Sequence, residues 1–142
     1  MKNQVLSGFM SLLLTIFLCT CDRAHPVSIA YGMDQCEFCR MAIVEVNYGA
    51  ELITEKGRVM KYDAAECMVN HLAQEEIAVQ KLYAVPYDQP ATLRPVDSLF
   101  FVIDASVRSP MGANLAAFSS EGALPKDVIP LDWATVAQML TK

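Results

Sequence analysis

The chain has 142 residues, among them five cysteines and eight methionines, and its 16 acidic against 11 basic residues give a formal net charge of −5 at pH 7. That length fits one modest domain. The acidic balance and the lack of any basic patch exclude nucleic acid as a partner.

Residues 2–18 carry a single charge, Lys2, and residues 5–18 are largely apolar. The run is too short to span a bilayer comfortably and has the shape of a signal-peptide h-region. It ends in Leu18-Cys19-Thr20-Cys21, which resembles a bacterial lipoprotein signal with an acylated Cys21. Residues 1–20 are therefore expected to be removed as a signal peptide. Lipid on Cys21 then holds the domain at a membrane without a spanning helix. The expected location is extracytoplasmic, and Asp22 leans toward the inner membrane. Cleavage removes one basic residue and no acidic one, so the mature chain is one charge more negative. With Cys19 lost and Cys21 lipidated, Cys36, Cys39 and Cys67 remain, an odd number that does not fit a pure disulfide framework. Residues 21–35, with His25, Pro26 and Gly32, read as a tether, and residues 36–142 as the functional domain. Met33 reads as ordinary packing, since a thioether fills gaps readily.

Cys36-Glu37-Phe38-Cys39-Arg40-Met41 packs two thiols and a thioether into six residues. These are soft donors, suited to Cu(I) and, for the thiols, to zinc or iron–sulfur clusters. The apolar, β-branched residues that follow predict a strand over 40–46. On such a strand Cys39 and Met41 share a face and form a two-sulfur clamp. Arg40 stands where haem attachment needs histidine. A thioredoxin-type pair opens a helix, not a strand. A Cys36–Cys39 disulfide and half of a zinc site are the other readings of this stretch.

Strands are expected over 50–55 and 58–62, with turns at Asn47-Tyr48-Gly49 and Lys56-Gly57, so the three strands form an antiparallel meander. Asp63 is placed to cap a helix, with Glu66 completing a capping-box-like pair. Ala65, Met68, Val69 and Leu72 fall on its buried face. Cys67 and His71 are four apart and lie beside that face. Cys36, Cys39, Cys67 and His71 together have the ligand types and local spacings of a structural zinc site, one alternative function. A thiol–disulfide oxidoreductase is another. Further strands are expected over 77–85, 98–103 and 114–119, with a tight turn at Ser109-Pro110-Met111-Gly112 between the last two. Asp132 can cap a final helix with Trp133, Val136, Ala137 and Leu140 on one face. The elements describe an α+β domain of short antiparallel strands with a C-terminal helix. No Ser–His–Asp set and no paired carboxylates beside the sulfur cluster stand out, so the protein is not expected to be an enzyme.

Three stretches together resemble the NosL family, copper-chaperone lipoproteins of nitrous oxide reductase maturation. They are Tyr31-Gly32-Met33-Asp34-Gln35-Cys36-Glu37-Phe38-Cys39-Arg40-Met41, then Tyr62-Asp63 with Cys67-Met68, then Ser109-Pro110-Met111-Gly112 with Ala117-Phe118. Phe38 stands where the family more often has Tyr, and a Gly-Gly stretch associated with its C-terminal part is missing. The resemblance implies small ββαβ units and Cu(I) held by Cys39, Met41 and Met111. It also implies delivery to a copper-dependent reductase or its assembly transporter.

Overall fold

The computed structural model describes residues 24–141, so the signal segment, Cys21 and Asp22 lie outside the described residues. The chain first builds a ββαβ unit: β1 (Ala50–Thr54), β2 (Val59–Tyr62), α1 (Ala65–Gln74) and β3 (Val79–Ala84). The short β4 (Arg94–Pro95) extends it to a four-stranded antiparallel sheet of order β2-β1-β3-β4. A second pair, β5 (Phe100–Ile103) and β6 (Leu115–Phe118), is followed by the C-terminal α2 (Trp133–Leu140). The α+β class, the antiparallel strands and the C-terminal helix are as the sequence predicts.

Each half closes on a short link. Between β1 and β2, Gly57 donates its N–H to Thr54 O at 2.8 Å and takes φ +79°, a conformation open to residues without Cβ. Between the sheets, the Tyr87 N–H reaches Ala117 O at 2.7 Å. Asp132 caps α2 as expected, its Oδ1 accepting the Thr135 N–H at 2.8 Å. Val136 of α2 is fully buried, and Trp133 lies 5.5 Å from Phe101, ring centroid to ring centroid.

β1 is covered on both faces. Ala50 and Leu52 join the main core with Met60, Tyr62, Met68 and Val69, while Ile53 packs on the other side with Tyr83 and Ala24. The two-residue period of a strand sends Glu51 to that second side, where it is completely buried. What covers it is the segment read as a tether. Tyr83 Oη donates to Ala24 O at 2.6 Å, the Val27 N–H meets Glu51, and Lys61 Nζ donates to Ser28 O at 2.8 Å. Tyr83, Glu51 and Lys61 are direct cross-strand neighbours on β3, β1 and β2. Residues 24–28 thus form a strap across the sheet, touching one strand after another. Proline and glycine content suggests a linker, but the sheet's second apolar face needs a cover.

Two local expectations fail. No strand runs over 40–46; the segment holds one bridge, between Gln35 and Ala42, so the meander has two strands and not three. α1 starts at Ala65 after an extended Ala64, with no side-chain cap. Asp63 is therefore not its N-cap, and Glu66 is turned away into the protein, as described below.

Candidate metal centre

The sulfur stretch folds as a tight turn. The Cys36 N–H donates to Met41 O at 2.8 Å, and the Arg40 N–H donates back to Cys36 O at 3.0 Å. Arg40 takes φ +63°, the left-handed region, which breaks the strand alternation between Cys39 and Met41. The clamp on a strand face is therefore absent. The β-branched residues Ile43, Val44 and Val46 favour a strand, but the turn-forming backbone of residues 36–41 prevails.

The turn brings Cys36 and Cys39 to Cys67, near the start of α1. The three Sγ atoms lie within 4.8 Å of one another. Cys36 and Cys67 are buried, Cys39 is half-buried, and all three are free thiols, so the disulfide reading of Cys36 and Cys39 does not hold. Cys67 does not flank the buried face of α1 but lies inside it, fully buried. The hairpin that carries Cys36 covers a side of the helix that its own periodicity leaves open.

The environment divides the three thiols. The Cys67 thiol donates to Cys36, and the backbone N–H groups of Asp63, Cys39 and Phe38 point at the same sulfur; together they overcome burial and bring Cys36 down to about 5. Donation to Cys36, burial and the neighbouring negative charge push Cys67 far up. Burial raises Cys39, partly offset by the Met41 N–H. The cluster therefore holds one shared negative charge with two protons still in place.

His71 is buried but belongs to other partners. Its Nδ1 and the Tyr62 hydroxyl are 2.9 Å apart, and its Nε2 faces Glu75 Oε2 at 3.3 Å. Among the described residues, the mutually close metal-donor atoms from Cys, His and carboxylate groups are the three sulfurs, without His71. The four-residue zinc constellation is not assembled.

The thioethers occupy outer positions. Met41 is 59 % exposed and Met111 41 %, while Met33, read as packing, is 84 % exposed. The backbone of each of the first two is tied to a residue at or next to a cluster cysteine. The Met41 N–H turns toward the Cys39 sulfur. The Met111 N–H donates at 2.9 Å to Glu66 Oε1, one residue before Cys67. The Ser109–Gly112 turn forms as expected, with the Gly112 N–H on Ser109 O at 3.0 Å.

Sequence reasoning missed two acids here. Glu66 is buried and holds the Met111 loop; its position just before Cys67 on an otherwise apolar face is the signal for it. Asp63 is 3 % exposed, its backbone N–H faces Cys36, and its Oδ1 lacks a hydrogen-bond partner. Burial and the Cys36 charge raise its carboxyl.

Comparison with known proteins agrees with this architecture. The NosL family model matches residues 26–124. A crystal structure of the copper chaperone NosL from Shewanella denitrificans superposes with a TM-score of 0.60 at 20% identity, covering 69% of this chain and 81% of that one. No curated protein matches the chain by sequence.

Proposed function

Because the chain belongs to the NosL family, we propose that it is a Cu(I) chaperone that carries one ion on Cys36, Cys39 and Cys67 and passes it to a partner. The observation behind this reading is the group of three Sγ atoms within 4.8 Å of one another. At a thiolate–metal length of about 2.3 Å, three sulfurs around one ion stand about 4 Å apart, so the cluster needs little movement to close on a cargo ion. Soft sulfur donors suit Cu(I). Met41 and Met111 extend the donor set outward, with Cys39 as the half-buried thiol between cluster and solvent. Three thiols with exposed thioethers on the accessible side suit an ion that must leave again. A structural zinc site is closed by four, and His71 is engaged elsewhere.

The cargo's role is binding and transfer, not catalysis. The domain is held at a membrane by lipid on Cys21 in an extracytoplasmic compartment, and the receiver is nitrous oxide reductase or the transporter that assembles it. The Shewanella denitrificans structure, a copper chaperone by its own description, supports the metal. Competition titration against a Cu(I) chelator under reducing conditions tests the reading. Cys39→Ser and Cys67→Ser are expected to weaken binding by tenfold or more, about 1.4 kcal/mol each. Wild-type affinity in both, or zinc retained through purification and required for folding, would overturn it.

A further inference from the structure

Glu66 is 1 % exposed, and none of its hydrogen-bond partners is a cation. A buried carboxylate is costly unless it is fully hydrogen-bonded. Every bond Glu66 accepts comes from one distant segment. The Ser109 hydroxyl lies 2.9 Å from both carboxylate oxygens, and the Met111 N–H lies 2.9 Å from Oε1. The Ala113 and Leu115 N–H groups point to it as well. Ser109 is itself buried, 43 positions away in the chain.

That segment links β5 to β6; its first half is fixed by the buried Val107 and by the Val107 N–H on Asp104 O at 2.9 Å, and its second half turns on the Gly112 N–H to Ser109 O bond. Gly112 and Asn114 both take the left-handed region, at φ +80° and +57°, and no strand or helix lies between Ile103 and Leu115. Across residues 109–115 one carboxylate gathers four donors and ties this half of the loop to α1. The result is a fixed backbone with an exposed thioether at Met111, tied to the residue next to Cys67.

We propose that Glu66 is a positioning residue: it holds the loop over residues 109–115 so that the Met111 thioether is kept at the cysteine cluster for the cargo ion. This rests on the chaperone reading and on Met111 as an outer donor. Glu66 acts only through Met111, so its effect on binding must vanish once the thioether is gone.

A double-mutant cycle on the full chain with Cu(I) as probe reads this directly. Glu66→Gln keeps the size of the side chain but turns an amide that donates toward a ring of donors. Glu66→Gln and Met111→Leu are each expected to weaken Cu(I) binding about tenfold in chelator competition. The combined variant is expected to be no weaker than either alone. Thermal melts of each variant separate loss of fold from loss of binding. Ser109→Ala keeps the carboxylate and removes one loop donor; it is expected to give a smaller loss that also disappears in the Met111→Leu background, and it decides the matter if Glu66→Gln does not fold. A lower melting temperature with unchanged affinity would reduce Glu66 to a structural acid. So would equal losses with and without Met111. If Met111→Leu binds like wild type while Cys39→Ser does not, Met111 and this proposal fall and the chaperone reading stands. If no cysteine variant matters, the reading itself falls.

Discussion

Both carboxylate oxygens of Glu51 face a single donor, the backbone N–H of Val27, at 3.0 and 3.1 Å. The bond clamps the strap to the central strand of the sheet. Glu51→Ala would leave that N–H without its partner and open space between strand and strap. The expected loss is about 1–3 kcal/mol. A thermal melt together with amide exchange over residues 24–30 checks it; an unchanged melt with protected strap amides would show that the clamp is dispensable.

Burial raises the Glu51 carboxyl, and Asp63 and Glu66 are raised for the same leading reason. A group raised in the folded state gives its full stability below its unfolded value and loses it as pH rises through the folded one. These acids should therefore make the apoprotein less stable as pH climbs from the ordinary carboxylate range. Glu51→Gln should flatten that slope in denaturant melts taken across the range. A slope that survives the substitution unchanged would place its origin elsewhere.

Cys36 acts with the opposite sign. Held at about 5 in the folded state against 9.0 ordinarily, it adds stability that is complete above 9.0 and drains away as pH falls toward 5. The difference in stability between wild type and Cys36→Ser should widen between those limits as pH rises. Thiolate absorbance gives a second measurement: one sulfur ionises at mildly acidic pH and two resist ionisation beyond the normal thiol range. Three thiols titrating together near 9 would contradict the shared-charge cluster.

His71→Ala should separate packing from metal binding. The change strands the buried Tyr62 hydroxyl, whose bond to Nδ1 is 2.9 Å, and should cost about 1–3 kcal/mol of stability. Cu(I) affinity in the folded variant should stay near wild type, because His71 lies outside the sulfur group. A tenfold fall in affinity would return His71 to the ligand set.

Asp132→Ala tests the one cap that forms as the sequence predicts. Loss of the 2.8 Å bond to the Thr135 N–H should cost about 1 kcal/mol. Because Trp133 and Val136 pack on the core, the loss should appear in the global melt and not only as fraying of α2.

The sequence made some of this legible because the signal was local. Asp132 precedes an amphipathic run with nothing competing for it, and β1 and β2 are separated by a glycine turn. Asp63 and Glu66 offered an equally good local pattern, yet Ser109 and Met111 arrive from 43 to 45 residues away and take Glu66 for themselves. Residues 40–46 have strand composition, but the left-handed Arg40 that breaks them is not written in any residue preference. Cys67 looked peripheral because helix periodicity counts only one covering surface, while a hairpin with no regular strand covers another. The strap looked like a linker for the same reason: its partners, Tyr83, Glu51 and Lys61, are far away in sequence.

The strap also sets a reach. Ala24 is buried, and its carbonyl is held by Tyr83. Cys21 lies three residues earlier, and three Cα steps span at most about 11 Å. A lipid on Cys21 would thus keep the domain within one short leash of the headgroups, unable to drift into the surrounding fluid. Cargo hand-over would become a search in two dimensions, in which a receiver embedded in the same bilayer meets the chaperone at a raised effective concentration. A freely diffusing receiver would have to come down to the membrane surface to be served.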